Sequence, residues 1–124
     1  MAHKILIADD EPNIVVSLEY LMKREGFDVR VAENGDEALT QVAEFAPDLL
    51  LLDVMLPRRN GFEVCQQLRS DPRWQDLKVV MLTAKGRDIE MQKGLALGAD
   101  AYITKPFSTK ELVARVKRLL AEKV

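Results

Sequence analysis

The chain has 124 residues, 48% of them hydrophobic and 31% charged, which is enough for one buried core and too short for two comfortable domains. A net charge of −2 and a pI near 5.5 argue against binding along a phosphate backbone, and the apolar content excludes intrinsic disorder. The single cysteine, Cys65, cannot close an intramolecular disulfide, and no apolar run reaches the length of a membrane span or a signal-peptide core. These bounds predict one cytoplasmic domain over residues 1–124, with no membrane and no direct nucleic-acid partner.

Ile5-Leu6-Ile7-Ala8 is a short, partly β-branched run that stops at Asp9-Asp10 and predicts a first strand. After Pro12, the apolar positions Ile14, Val15, Leu18, Leu21 and Met22 form one stripe of a helix ended by Gly26. Val29-Arg30-Val31-Ala32 reads as a second strand and Asn34-Gly35 as a turn. Ala38, Leu39, Val42 and Phe45 predict a second helix, stopped by Pro47. Leu49-Leu50-Leu51-Leu52 is apolar on both faces, as a central parallel strand requires, and ends at Asp53.

The alternation then repeats. A polar loop runs from Pro57 toward Gly61, residues 62–68 fit a third helix, and Asp71-Pro72 marks a turn. Val79-Val80-Met81-Leu82 is a fourth strand ending at Thr83, and a fourth helix runs from about residue 87 to 97 with Gly98 as its stop. Ala101-Tyr102-Ile103-Thr104 is a fifth strand ending at Lys105-Pro106. The last helix opens at Ser108, where Glu111 completes a capping-box pattern. Five β-α units with short connections predict an α/β sandwich, a parallel sheet covered on both faces.

Asp9, Asp10, Asp53, Thr83 and Lys105 all follow strand cores. In an open parallel sheet those ends share one edge, where ligands bind. Three carboxylates brought together repel unless protonated or neutralised, and oxygen ligands suit a hard ion such as Mg²⁺. A carboxylate can also act as a nucleophile and form an acyl phosphate. Taken singly, Asp9 and Asp10 read as helix-capping carboxylates, Asp53 as a turn residue and Lys105 as a solvated lysine. Only their joint placement points to chemistry. His3 reads as the exposed start of the first strand and Cys65 as a packing residue.

The segments Ile7-Ala8-Asp9-Asp10-Glu11-Pro12, Leu51-Leu52-Asp53-Val54-Met55-Leu56-Pro57, Leu82-Thr83-Ala84, Gly98-Ala99-Asp100 and Tyr102-Ile103-Thr104-Lys105-Pro106-Phe107 resemble the receiver domain of two-component response regulators. The resemblance implies a CheY-like, flavodoxin-like doubly wound (βα)5 fold with strand order 2-1-3-4-5. It implies that Asp53 accepts a phosphoryl group from a sensor histidine kinase or histidine phosphotransfer protein. Mg²⁺ would be held by Asp10, Asp53 and the backbone carbonyl of Met55, with Asp9 acting largely through water. Thr83, Lys105 and the backbone amides of Met55 and Ala84 would contact the phosphoryl oxygens. The bond before Pro106 would be cis. Movement of Thr83 and rotation of Tyr102 would change the face formed by the fourth helix, fifth strand and fifth helix, which would act on an effector protein or an output domain. Such a switch is not a conventional enzyme.

The C-terminal third is most similar to receivers of winged-helix regulators, which dimerise through salt bridges on that face. Glu111 and Arg115 match that pattern, but their usual partner positions hold Met91 and Ala101, which carry no charge. A monomer is expected without phosphate, with a dimer open on activation. The resemblance implies that the residues two after Asp53 and Thr83 tune hydrolysis of the acyl phosphate. Here they are Met55 and Lys85, which offer no group to activate water, and slow autodephosphorylation is expected. Three other functions compete. A phosphohydrolase of the haloacid-dehalogenase type would place an acid where Met55 stands, and a nucleotide or flavin module would need glycines where Asp9-Asp10-Glu11-Pro12 stands. A phosphate-independent docking domain would have no use for the complete acidic cluster.

Overall fold

The structure, a computed structural model, describes residues 2–84 and 88–122. In chain order the elements are β1 (Lys4–Ala8), α1 (Pro12–Arg24), β2 (Asp28–Ala32), α2 (Gly35–Phe45), β3 (Leu49–Asp53), α3 (Gly61–Arg69), β4 (Lys78–Ala84), α4 (Asp88–Ala96), β5 (Ala101–Lys105) and α5 (Thr109–Ala121). The strands form one parallel sheet in the order β2-β1-β3-β4-β5. The parallel α/β sandwich that the patterning predicts and the strand order that the resemblance implies are both found.

Period-two alternation sends the residues of each strand to two separate cores. Leu6, Ala8, Leu50, Leu52, Val79 and Met81 pack with α2 and α3, while Ile5, Ile7, Leu49, Leu51, Val80 and Leu82 pack with α1 and α5. Every residue of β3 is buried. Burying a single leucine of this kind contributes about 1.5–3 kcal/mol relative to leaving it exposed. The leucine run therefore places Asp53 at the end of the least accessible strand.

Some element ends differ from the sequence expectation. β3, β4 and β5 extend through Asp53, Ala84 and Lys105, because ladder pairing continues past the apolar stretch. α3 begins at Gly61 and ends at Arg69, longer at both ends than residues 62–68. The turn at Asp71-Pro72 leads into a 3-10 helix, Pro72–Trp74, with Asp71 accepting from the Arg73 amide. Ser108 accepts from the Glu111 amide at the start of α5, whereas both halves of a capping box form at α3, between Asn60 and Glu63. Lys85 and Arg87, at the site of the expected start of the fourth helix, lie outside the described residues.

Candidate functional site

The sheet register builds the site. Ala8 pairs with Leu52, so Asp9 and Asp53 leave adjacent strands side by side. Asp53 pairs with Leu82, the residue before Thr83, and Ala84 pairs with Lys105. The carboxyl ends of β1, β3, β4 and β5 thus deliver all five expected side chains to one edge. The Lys105-Pro106 peptide bond is cis.

Asp9, Asp10 and Asp53 each offer an oxygen within 4.8 Å of the others. Asp9 and Asp53 are buried and Asp10 is exposed. Oδ1 of Asp9 accepts the Glu11 amide at 2.9 Å, and Oδ2 accepts the Lys105 ammonium at 2.9 Å. Oδ1 of Asp53 accepts the Met55 amide at 3.1 Å and faces Lys105 Nζ at 3.6 Å. Lys105 also donates to Glu11 Oε1 at 3.2 Å. An all-oxygen donor set with more negative than positive charge fits a hard divalent cation such as Mg²⁺.

Burial pushes the Asp53 carboxyl above the ordinary range. The Met55 hydrogen bond and Lys105 oppose that shift, and the charges of Asp9 and Asp10 add to it. Burial alone would pull the Lys105 ammonium down. Its bonds to Asp9 and Glu11 and the charges of Asp53 and Asp9 outweigh burial and raise it. Lys105 is therefore a fixed cation beside a carboxylate whose charge the fold disfavours.

Thr83 is buried at the end of β4, Ala84 follows it at the surface, and the Met55 side chain stands out into solvent. Tyr102 is half-buried. It packs against the α2–α3 core, and an added Cβ on Gly94 of α4 would lie 2.4 Å from its Cε2. Tyr102 also lines a groove of about 210 Å³, together with Met91, Ile103, Phe107 and Glu111 among others. Cys65 is buried with its thiol toward the Leu97 carbonyl, and burial pushes the thiol up, so it is a packing residue. His3 is exposed and faces Asp48.

Two neighbours of the cluster carry little sequence signal. Glu11 meets a partner 94 residues away, a contact that only the β1–β3–β4–β5 order creates. Gly61 opens α3 against the end of β3. A Cβ there would lie 2.6 Å from the Asp53 carbonyl oxygen, and its amide donates to Val54.

The family model described as Response regulator receiver domain matches residues 5–117. A solved structure described as a response regulator from Chloroflexus aurantiacus J-10-fl is 40% identical, with a TM-score of 0.94 over 98% of this chain and 99% of that one. The BeF3-activated N-terminal receiver domain of RstA from Klebsiella pneumoniae is 34% identical, with a TM-score of 0.88 over 95% of this chain and 98% of that one. The chemotaxis response regulator CheY4 of Vibrio cholerae is 28% identical, with a TM-score of 0.90 over 96% of this chain and 99% of that one.

Proposed function

The chain belongs to the family of response regulator receiver domains, and from that premise we propose that Asp53 is the phosphoacceptor of a two-component switch. The observation that carries the reading is the buried Asp53 carboxylate, oriented by the Met55 amide and faced by both Lys105 and two further carboxylates. Its phosphodonor is a phosphohistidine of a sensor histidine kinase or histidine phosphotransfer protein.

In the transfer, a carboxylate oxygen of Asp53 forms a bond to phosphorus while the phosphorus–nitrogen bond to the donor imidazole breaks. The electron pair stays on the imidazole nitrogen, and an acyl phosphate is left on Asp53. The Met55 amide, already bonded to Asp53 Oδ1, fixes the direction of attack. The Lys105 ammonium, 3.6 Å from that oxygen, is close enough to neutralise the charge that develops on the phosphoryl oxygens. The Thr83 hydroxyl and the Ala84 amide complete the donor set. Mg²⁺, when bound, supplies neutralisation of the like charges that Asp53 and the donor would otherwise bring together. Asp10, Asp53 and the Met55 carbonyl would hold it. Both Asp9 oxygens already accept protein donors, which supports a role for Asp9 through water.

Movement of Thr83 toward the phosphoryl group, with rotation of Tyr102, would alter the groove between α4, β5 and α5 that Tyr102 lines. That face would act on an effector or an output domain, and phosphorylation would bias two conformations by its differential stabilisation of one. Slow loss of the phosphoryl group follows from Met55, whose thioether activates no water. No helix of the described residues is long and apolar enough to cross a membrane, which accords with a cytoplasmic domain.

The test is the intact-protein mass after incubation with Mg²⁺ and acetyl phosphate, beside Asp53→Asn. One added phosphoryl group that requires Mg²⁺ and is absent from the variant is expected. Equal addition to the variant would contradict the assignment.

A further inference from the structure

Glu11 occupies the N-cap of α1, yet its side chain makes no capping hydrogen bond. Its carboxylate turns instead to Lys105, 3.2 Å away at the end of β5. The Lys105 ammonium is held on one side by Asp9, whose side chain is buried, and on the other by Glu11, whose side chain is 61% exposed. Asp53 lies farther off, at 3.6 Å. The lysine that would serve the phosphoryl group is therefore drawn toward the outer rim of the cluster by a residue whose side chain adds no hydrogen bond to its own helix terminus.

We propose that Glu11 is a positioning residue that holds Lys105 off Asp53 and so favours the cation over the phosphoryl group. Two consequences follow, with opposite signs. A carboxylate at the rim adds negative potential and holds the ammonium beyond hydrogen-bond distance of Asp53, and both effects favour a divalent cation. The same carboxylate repels an arriving anion and competes for Lys105, and both effects disfavour a phosphoryl group. A residue that merely supported the fold would shift both affinities in one direction. The inference rests on Asp53 as the acceptor.

The test uses Glu11→Gln in the full chain, with two equilibrium readouts. Mg²⁺ affinity is measured by calorimetry, and beryllofluoride affinity, as a phosphoryl stand-in, is measured at saturating Mg²⁺. An exposed ion pair of this kind is worth about a two- to five-fold change. Mg²⁺ affinity is expected to fall by that factor and beryllofluoride affinity to rise by it. In a Lys105→Met background the rise should shrink, because the contest for the ammonium is gone. Affinities that are unchanged, or that move in the same direction, overturn the inference, as does a full-sized rise in the Lys105→Met background. Failure of the wild-type chain to bind beryllofluoride with Mg²⁺ overturns the Asp53 reading and this inference with it. Binding by the wild type with no gain in Glu11→Gln overturns this inference alone.

Discussion

At Asp53 the fold works against the charge that the proposed transfer needs. Burial and the neighbouring carboxylates raise its pKa, so the folded chain holds that proton more tightly than the unfolded chain, where the value is about 3.9. Stability is present below the unfolded value, is lost as pH rises toward the folded one, and is level beyond it. Asp53→Asn removes this loss. The variant should melt above wild type at neutral pH without divalent cations, and the gain should shrink as the pH is lowered toward 4, as read by thermal melts across a pH series. A variant that melts below wild type at neutral pH would show that the carboxylate is stabilised in place. The convergence of Asp53, Thr83 and Lys105 on one sheet edge was legible in the sequence because each follows an apolar strand core. Glu11 was not, because its partner is fixed by strand order and lies 94 residues on.

Two glycines separate backbone crowding from side-chain crowding among the elements. A Cβ on Gly61 would meet the Asp53 carbonyl and the Val54 Cα, which cannot move without shifting β3. Gly61→Ala should destabilise by about 1–3 kcal/mol in denaturant unfolding and lower phosphorylation with it. A Cβ on Gly94 would meet the rim of the Tyr102 ring, which can rotate. Removing a glycine from a helix interior gains about 1 kcal/mol, which offsets the contact. Gly94→Ala should therefore leave stability nearly unchanged while moving the Tyr102 ring resonances in an NMR spectrum. Arg69 joins α3 to the loops on the opposite edge of the sheet. Its guanidinium donates to the carbonyls of Gly98, Trp74 and Leu77 and to Asp100, whose carboxylate also accepts the Val79 amide. Arg69→Met leaves these acceptors underpaired and should cost about 2–4 kcal/mol in the same unfolding measurement. Apolar periodicity announced the helices and strands themselves. It could not announce the Arg69 junction, whose acceptors are mostly carbonyls that the completed fold brings together.

For the whole molecule, three close carboxylates beside a single lysine are expected to make the folded state respond to divalent cations. An ion that binds only the folded chain stabilises it by about 2.7 kcal/mol at one hundred times its dissociation constant. The melting temperature should rise with added Mg²⁺, return on chelation, and respond weakly in Asp10→Asn. An identical response in that variant would place the binding elsewhere. The central claim is that Asp53 itself carries the phosphoryl group. The most direct measurement is borohydride reduction of the chain after incubation with Mg²⁺ and a phosphodonor, followed by peptide sequencing by mass spectrometry. An acyl phosphate is reduced to homoserine at the residue that bore it. Homoserine at position 53 is the predicted result, and homoserine at position 9 or 10, or at none of the three, would contradict it.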